Sequence, residues 1–376
     1  MVEWKKLGDI VKRNKGIPIT AGQMTELASK TGDVRVFAAG QTVSDINESD
    51  LPPNCANRKP SIIVKSRGYI DFEFYEKPFT HKNEMWSYSF DVRQTGKFIY
   101  YFLTTQTEFF RKKAKANSVK LPQLCVADTD DYLIPFPSLS EQTRIVGFLD
   151  TFTASIENLK LQIAERRKQY EYYRDQLLDL EGKEGVEMKK LGEIGSFIRG
   201  SGIQKADFVE VGKPCIHYGQ IHTKYGMSAN ETISFINESL YNRCKKAVKG
   251  DVVLATTSED AEGCAKPVAW LGDENVAVSG DAYIYHHNQN GKFMAHQFAT
   301  HRFLLFKIMN ATGAKVVRIS GDNMANYNVA LPSLEEQSRI VSILDTFEAS
   351  ISNLEAQLKQ REKQYEYYRN KLLTFE

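Results

Sequence analysis

Residues 137–180 read PSLSEQTRIVGFLDTFTASIENLKLQIAERRKQYEYYRDQLLDL, and residues 332–375 read PSLEEQSRIVSILDTFEASISNLEAQLKQREKQYEYYRNKLLTF. At an offset of 195 residues, 28 of these 44 positions are identical. A duplication of this length organises the rest of the chain, because both copies must fold in the same way.

Each copy is predicted to be one long helix. Ser138-x-x-Glu141 and Ser333-x-x-Glu336 have the pattern of a capping box. The apolar positions then follow steps of three and four residues, which predicts a coiled-coil seam. Arg166 and Arg361 interrupt the seam at matching positions and are interpreted as polar residues that set its register. The apolar seam residues are Ile145, Leu149, Phe152, Ile156, Leu159 and Ile163 in the first copy, and Ile340, Leu344, Phe347, Ile351, Leu354 and Leu358 in the second.

Chain order predicts how the two helices are used. Residues 3–10, which open the chain, match residues 187–194, which follow the first helix. The second helix therefore ends where the chain began. We predict an antiparallel, intramolecular coiled coil and a circular arrangement with a pseudo-twofold axis. The predicted boundaries are a globular domain at 1–136, a helix at 137–180, a linker at 181–187, a second domain at 188–331 and a second helix at 332–376.

Each globular segment is predicted to be an α+β domain. Short β-type runs such as Ser61–Val64 and Asp251–Leu254 precede polar turns, and the helical runs Lys97–Lys115 and Phe293–Met309 follow later. The two domains resemble each other only weakly, whereas the helices match closely. This contrast indicates that the helices perform one task twice and the domains perform two different tasks.

Composition and charge limit the class of protein. No run of 18 apolar residues and no signal peptide is seen, and the five cysteines are scattered without a CxxC, so a soluble protein of the reducing cytoplasm with no membrane association is expected. Residues 1–137 carry 20 Lys and Arg against 16 Asp and Glu, and residues 188–331 carry 16 against 13. The globular segments are therefore the basic ones, which is a mild nucleic-acid signal.

The sequence contains no recognisable catalytic motif. The Gly-Lys pairs lack the pattern of a phosphate-binding loop, Leu51-Pro52-Pro53-Asn54 has the wrong order for a base-amine methyltransferase, and no histidine pair has metal-ligand spacing. Glu3-Trp4-Lys5 and Glu187-Met188-Lys189 have the form of a nuclease motif but are copies of the repeated connecting segment. The sequence favours a binding protein over an enzyme, with no catalytic residue and no metal ligand.

Two kinds of segment are candidates for DNA contact. Residues 111–120 hold five cations beside two aromatics, and Lys307, Lys315 and Arg318 are their counterparts in the second half. Polar turns after the β-type runs suit base reading, and Arg67 has the geometry for guanine. Ordinary solvated helix ends and structural turns are the alternatives. The candidates are Lys65, Ser66, Arg67, Lys113, Lys115, Lys120, Tyr218, Gln220, Lys224, Thr257, Ser258, Lys315 and Arg318.

The whole pattern resembles the specificity subunit of type I restriction–modification systems. The resemblance covers the full chain and rests on the helix motif Pro-Ser-Leu-x-Glu-Gln-x-Arg-Ile-Val-x-x-Leu-Asp, which is present in both copies. It implies two target recognition domains that each read one half of a bipartite, asymmetric sequence in double-stranded DNA. It further implies that the helix pair sets the distance between the half-sites, for which about one turn of DNA, roughly 34–36 Å, is the natural scale.

The resemblance also implies partners. Two methyltransferase subunits would bind the chain, and restriction translocase/endonuclease subunits would join them. S-adenosylmethionine, ATP and Mg²⁺ would belong to those partners, so no cofactor is expected in this chain. Tyr172 and Tyr367 lie off the seam in both helices and are interpreted as methyltransferase docking residues. The alternatives are a scaffolding protein with protein-binding domains and a fused nuclease.

Overall fold

The computed structural model describes residues 2–118, 120–313 and 316–375. The chain forms two compact units: unit 1 comprises Met1–Lys160 and Ala356–Glu376, and unit 2 comprises Leu161–Glu355. Each long helix therefore contributes one part to unit 1 and the other part to unit 2. No helix of the described residues has the length and apolar character needed to cross a membrane.

Unit 1 contains a four-stranded sheet of order β2-β8-β5-β6, a three-stranded sheet of order β4-β3-β7 and a strand pair β1-β9. Its elements are β1 Glu3–Lys6, α1 Leu7–Ile10, β2 Lys12–Lys15, α2 Ala21–Glu26, β3 Val34–Phe37, β4 Val43–Ile46, β5 Ser61–Lys65, β6 Asp71–Tyr75, β7 Phe79–His81, β8 Trp86–Ser89, α3 Arg93–Thr105, α4 Thr107–Asn117, α5 Val126–Asp130, β9 Leu133–Phe136 and the first part of α6 Leu139–Leu178.

Unit 2 contains two five-stranded sheets, of order β11-β21-β17-β19-β14 and β12-β15-β13-β20-β16, with the strand pairs β10-β23 and β18-β22. Its elements are β10 Glu187–Lys190, α7 Leu191–Ile194, β11 Gly195–Arg199, β12 Phe208–Val209, β13 Lys213–Ile216, α8 Tyr218–Thr223, β14 Ser228–Ala229, β15 Ser234–Ile236, α9 Glu238–Arg243, β16 Lys246–Ala247, β17 Val252–Ala255, β18 Thr257–Ser258, β19 Lys266–Trp270, β20 Val276–Val278, β21 Ala282–His287, α10 Gly291–Phe298, α11 His301–Asn310, β22 Val317–Arg318, α12 Gly321–Ala325, β23 Asn328–Leu331 and the main part of α13 Leu334–Leu372.

The two units share part of their strand topology despite their different sequences and different numbers of strands. In unit 1, the central strand β5 pairs with β8, which precedes α3 and α4, and β8 pairs with the edge strand β2. In unit 2, the central strand β17 pairs with β21, which precedes α10 and α11, and β21 pairs with the edge strand β11. In each, the opening strand pairs antiparallel with the strand that leads into the long helix. The α+β class predicted from the sequence is thus confirmed.

The helical runs predicted at Lys97–Lys115 and Phe293–Met309 are helical in the structure, and each consists of two successive helices. The break falls at Gln106 in unit 1, between α3 and α4. In unit 2 it falls between α10 and α11, where the Thr300 side chain accepts the backbone N–H of Phe303 and caps the second helix. A hydroxyl cap of this kind favours a new helix start over continuation of the old one.

The buried core of each unit joins its sheet to its part of the long helices. In unit 1, Ile145 and Leu149 of α6 belong to the same apolar cluster as Ile62 and Val64 of β5. In unit 2, Ile340 and Leu344 of α13 share a cluster with Val252 and Leu254 of β17. The first turns of each long helix are therefore held by the sheet core as well as by the other helix.

Within each unit, the two helix segments run antiparallel. In unit 1, Phe152 packs against Tyr368 with ring centroids 5.6 Å apart, and Lys160 lies 3.5 Å from Glu362. In unit 2, Arg167 pairs with Glu355 at 2.5 Å, and Tyr173 stacks on Phe347 at 5.4 Å. Residue numbers rise along one helix as they fall along the other, which confirms the predicted antiparallel packing of two long helices.

Candidate functional site

The turn after the central strand of unit 1 presents Arg67 to solvent. Its backbone is fixed on three sides: Gly40 N–H donates to the Arg67 carbonyl at 3.2 Å, Arg67 forms a β-bridge with Gln123, and Gly68 N–H donates to Pro122 at 2.8 Å. Gly68 has a φ of 76°, a conformation that favours glycine, and it turns the chain away directly after Arg67. A rigid backbone thus carries an exposed guanidinium.

The two residues before Arg67 have structural roles. Ser66 is fully buried, and its hydroxyl donates to the Glu84 carbonyl at 2.6 Å. The Lys65 ammonium lies 2.7 Å from Glu73, and the Lys65 side chain is only 13% exposed. The sequence pattern did not separate these residues from Arg67, because alternation along a strand gives no information about which hydroxyl is buried. The side chains of Lys65 and Ser66 are therefore engaged inside the unit, and Arg67 is the exposed candidate of this turn.

The cations of α4 lie next to this turn in the chain fold. Gln123 N–H donates to the Ala114 carbonyl near the end of α4, which brings the helix end beside Arg67. Lys113, Lys115 and Lys120 are exposed, and Lys113 lies 3.8 Å from Asp128. Exposed lysines at a helix end are suited to phosphate contacts.

Unit 2 assembles its predicted residues at the same place, after its central strand. Thr257 and Ser258 form β18, which pairs with Arg318 and Val317 of β22. His222 of α8 contacts the Thr257 carbonyl through Nε2 at 2.9 Å. This contact brings helix α8, which begins at Tyr218, to the strand of Thr257. The pairing of Thr257 with Arg318 corresponds to the bridge between Arg67 and Gln123 in unit 1.

A cleft of about 620 Å³ opens at this end of unit 2. Hydroxyl groups of Tyr218, Thr257 and Ser258 line it together with Lys266 and three carboxylates. The carboxylates are those of Glu259, Asp260 and Glu262. The end of unit 2 thus combines carboxylates and hydroxyls with the cations Lys266 and Arg318, whereas the candidate residues at the end of unit 1 are mainly cations.

Lys307 holds the loop that carries these carboxylates. The sequence pattern groups Lys307 with the cations suited to DNA contact, but the residue is only 5% exposed and is bound inside the unit. Its ammonium donates to the carbonyls of Glu262 and Cys264, each at 2.8 Å. Burial lowers the pKa of Lys307 to about 8. The Cys264 thiol also donates to the Thr256 carbonyl, at 3.3 Å, and closes the loop.

The remaining DNA-contact candidates of unit 2 are either exposed or engaged inside the unit. Lys224 and Arg318 are exposed. The Gln220 side chain is engaged at both ends, since its amide donates to Ser234 at 2.6 Å and its carbonyl accepts from the His217 backbone at 3.3 Å. Lys315 lies outside the described residues.

The long helices carry a second set of functional residues, and their seam is buried or half-buried throughout. Ile145, Leu149 and Phe152 are at most 8% exposed, and Leu344 is fully buried. Arg361 is half-buried, and its guanidinium lies 5.5 Å from the centre of the Phe152 ring. The seam arginine of unit 1 is therefore covered by an aromatic face.

A polar cluster interrupts the seam in unit 2. Tyr170 donates to the Glu348 carboxylate at 3.0 Å and contacts His296 Nδ1 at 3.2 Å. His296 is fully buried, and burial lowers its pKa to about 3, so the ring is neutral at physiological pH. Burial likewise raises the pKa of Glu348.

Only the serine half of each predicted capping box forms. The Ser138 hydroxyl accepts the Glu141 backbone N–H at 3.4 Å, as predicted. The Glu141 carboxylate accepts two N–H groups of Arg144 at 2.8 and 2.6 Å and does not serve as the predicted back-reaching cap. Ser333 and Glu336 repeat the arrangement in the second copy. A guanidinium one turn ahead offers two charge-assisted bonds to the carboxylate, whereas the backbone N–H of the N-cap residue offers one.

The repeated glutamine and aspartate of the helix motif attach each domain to its helix. Gln142 donates to the Pro137 carbonyl at 2.9 Å and accepts from Thr95 at 2.7 Å. Asp150 accepts from Lys97 at 2.7 Å. In unit 2, Gln337, Lys292 and Asp345 repeat these contacts. The sequence pattern did not identify these anchors, although Lys97 and Lys292 stand at the same 195-residue offset as the helices.

Tyr172 and Tyr367 are the repeated aromatic residues that remain most exposed, at 61% and 60%. Each packs edge-on against the tyrosine that follows it, with ring centroids 5.3 and 5.2 Å apart. The contact fixes each ring at the helix surface without covering it. In residues 2–118, 120–313 and 316–375 no group of three or more His, Cys, Asp or Glu side chains is placed to hold a metal ion.

A family model described as "Type I restriction modification DNA specificity domain" matches residues 1–166 and again residues 183–363. The type I restriction enzyme EcoR124I/EcoR124II specificity subunit of Escherichia coli is 29% identical over 399 residues, covering 100% of this chain and 94% of that protein. The MjaVIII specificity subunit of Methanocaldococcus jannaschii is 24% identical over 304 residues, covering 74% of this chain and 69% of that protein.

Solved structures show the same fold. The type I restriction-modification S subunit of M. genitalium superimposes with a TM-score of 0.60 at 16% identity, covering 100% of this chain and 97% of that one. A second chain, from a structure concerned with complex assembly and conformational transition of the type I R-M system, has a TM-score of 0.56 at 15% identity, covering 99% and 96%.

Proposed function

The chain belongs to the type I restriction modification DNA specificity family, as its sequence pattern indicated, and on that premise we propose which residues of its two units read DNA. Each unit reads one half of a bipartite, asymmetric target in double-stranded DNA. The observation that supports this is the shared placement of the candidate residues, which lie in both units at the turn after the central strand. Loops on a rigid scaffold are where recognition residues are usually found.

The two turns differ in chemistry, and this difference supports an asymmetric target. Arg67 offers two parallel donors, the arrangement that matches the N7 and O6 acceptors of guanine. Thr257 and Ser258 offer hydroxyls beside Arg318, and these groups match different base edges. Lys113, Lys115, Lys120 and Lys224 supply phosphate contacts, which fix orientation without reading sequence.

The proposed division of labour follows the domain boundaries. Residues 1–136 and 188–331 are the target recognition domains, residues 137–180 and 332–376 are spacers, and residues 181–187 link the two halves. The helix segments fix the distance between the half-sites. Because their seam is packed and anchored through Gln142 and Gln337, a change in helix length is expected to change that distance.

The chain acts with partners and does not catalyse. Two methyltransferase subunits bind the helix surface at Tyr172 and Tyr367, since exposed, rigidly held tyrosines are typical interface anchors. Restriction translocase/endonuclease subunits join this complex. S-adenosylmethionine, ATP and Mg²⁺ are bound by those partners, and this chain contributes recognition.

The test uses the complex of this chain with the methyltransferase subunit of its own system. Methylated motifs are sequenced from cells carrying wild-type protein, Arg67→Ala or Arg318→Ala. Arg67→Ala should relax one position of one half-site, at a cost of about 1–3 kcal/mol, and leave the other half-site unchanged. Arg318→Ala should change only the other half-site. Equal relaxation of both half-sites by either variant would contradict the assignment.

A scaffolding function predicts a different result in the same material. Binding of duplex DNA through phosphates must weaken steeply as salt rises. DNA binding by the complex that is insensitive to salt, or methyl transfer by this chain alone, would remove the proposal.

A further inference from the structure

A polar cleft in unit 1 follows the edge strand β2 and has no role in the sites described so far. It consists of two adjoining cavities of about 600 and 360 Å³, which share Lys12, Asn14, Ala56 and Asn57 in their walls. In the described part of the chain β2 is an edge strand of its sheet, hydrogen-bonded to β8 on one side, and its residues 12–15 line the cleft. A continuous groove along an edge strand can take an extended polar ligand.

The floor of the cleft is a network of polar side chains. The Asn14 amide donates to Ser87 at 3.1 Å and to Ser89 at 2.7 Å. The Asn57 amide donates to Ser61 at 3.0 Å and to Ser89 at 2.7 Å. Ser61 and Ser87 are fully buried, so polar groups replace the apolar side chains expected on an inner sheet face. A polar cavity holds water or a polar ligand, whereas an apolar one stays dry.

The walls of the cleft are cationic. Lys12, Lys15, Arg58 and Lys59 line it. Lys59 pairs with Asp91 at 2.6 Å, and Arg58 pairs with Glu48, which lies outside the cleft, at 2.6 Å. Among the ion pairs of the described residues none involves Lys12 or Lys15. Lys12 and Lys15 therefore line the groove without an ion pair of their own, and Asp91 is the carboxylate that shares its wall. Because cations outnumber carboxylates in this wall, the groove favours an anionic ligand.

Helix α3 begins at the cleft, and its first turn adds to the positive electrostatic potential there. Val92 and Thr95 line the larger cavity, and Val92 is the N-cap of α3, a helix of 13 residues. No side chain caps this end. The backbone N–H groups of a first helical turn and the helix dipole both favour negative charge there.

Unit 2 does not repeat the cleft. Gly16 and Gly200 occupy equivalent places, because each follows its edge strand and packs against the carbonyls of the neighbouring strand end. Counting back from these glycines places Ile198 where unit 1 has Asn14, and Ser196 where unit 1 has Lys12. Ile198 is 38% exposed and cannot support a polar floor. The cationic cleft is thus specific to unit 1.

We propose that this cleft binds backbone phosphates of DNA through Lys12 and Lys15, and so supplies affinity for the half-site that Arg67 reads. The inference rests on the proposed function and extends it, since the sequence pattern placed phosphate contacts of this unit only on α4 and its neighbouring turns. Phosphate contacts add affinity that depends on salt and not on base sequence.

The experiment measures the salt dependence of DNA binding by the complex of this chain with its methyltransferase subunit. Each phosphate contact contributes about 0.9 to the slope of log affinity against log salt concentration. The K12Q/K15Q variant should therefore lower the slope by about 2 and weaken binding to specific and random duplexes alike. The K12R/K15R variant keeps both charges and should retain the wild-type slope.

A matched control is the K30Q/K77Q variant, which removes two exposed lysines of unit 1 that do not line the cleft. It should leave the slope unchanged. The inference is overturned if K12Q/K15Q has the wild-type slope, or if the slope of K30Q/K77Q falls by as much as that of K12Q/K15Q. If the wild-type complex does not bind a bipartite target, the proposed function itself fails, so the two failures are distinguishable. Thermal unfolding of each variant verifies that all are folded.

Discussion

Lengthening both helices by one heptad should lengthen the gap in the DNA target and leave the half-sites unchanged. The insertion is placed between Lys160 and Leu161 in α6 and between Glu355 and Ala356 in α13, where the chain divides into its two units. At these positions the contacts inside each unit, such as Arg167 with Glu355, keep their partners. A whole heptad also preserves the seam, because the apolar stripe returns to the same face after seven residues.

The magnitude follows from helix and DNA geometry. Seven residues add about 10 Å to each helix at roughly 1.5 Å per residue. At about 3.4 Å per base pair, this corresponds to about three additional base pairs. Three base pairs also rotate the half-sites by roughly 100°, given about 10.5 base pairs per turn. Weaker methylation of the longer site is therefore expected, because the DNA must twist to present both half-sites.

The assay is methylome sequencing of cells that carry the variant with the methyltransferase of its own system. The expected motif has the original half-sites separated by about three more base pairs. A heptad inserted into α6 alone is the control, and it should abolish methylation because the seam residues no longer match along the pair. An unchanged gap, or changed half-site sequences, would refute the assignment of spacing to the helices.

Three further predictions test packing, the loop anchor and docking. Leu344→Ala should lower the free energy of unfolding by about 2–5 kcal/mol in a denaturant titration, because Leu344 is fully buried where α13 meets the core. The Lys307→Met variant should lack one part of the pH dependence of the wild-type free energy of unfolding. The pKa of Lys307 is lowered from 10.5 to about 8, so between these values the unfolded state binds more protons and the wild-type free energy of unfolding rises with pH. That rise relative to Lys307→Met should be about 2–3 kcal/mol from pH 7 to pH 10, and parallel pH profiles would contradict it. Joint replacement of Tyr172 and Tyr367 by Ala should weaken copurification of the methyltransferase subunit, whereas Leu161→Ala, at an exposed but unrepeated apolar position, should not; equal loss in both would contradict a docking role.

Local pattern predicted the elements whose stability depends on nearby residues. Both long helices follow from the heptad spacing around Ile145 and Ile340, and their antiparallel packing follows from chain order. The motif repeated in the two helices also indicated the protein family. The turn after the central strand was located correctly in both units, because a β-type run followed by polar residues is a local feature.

Which residue of such a turn faces solvent was not readable from the sequence. Ser66 and Arg67 are neighbours, yet one is buried against the Glu84 carbonyl and the other is exposed. Lys307 reads as a surface cation but binds two carbonyls of a loop more than 40 residues earlier in the chain. Burial of a charged group depends on partners that only the folded chain supplies.

The sequence by itself determined the duplicated helices, the two divergent domains and the absence of a recognisable catalytic motif, because repeats and periodicity are properties of order along the chain. Only the tertiary structure decided how each domain is attached to its helix and where its cations lie. Gln142 and Asp150 look like parts of a helix motif, yet their partners Thr95 and Lys97 come from α3. The cleft of Lys12 and Asn14 likewise exists only because segments far apart in sequence meet beside β2. Contacts between distant segments leave no periodic trace in a single sequence, and that is why the fold was needed to find them.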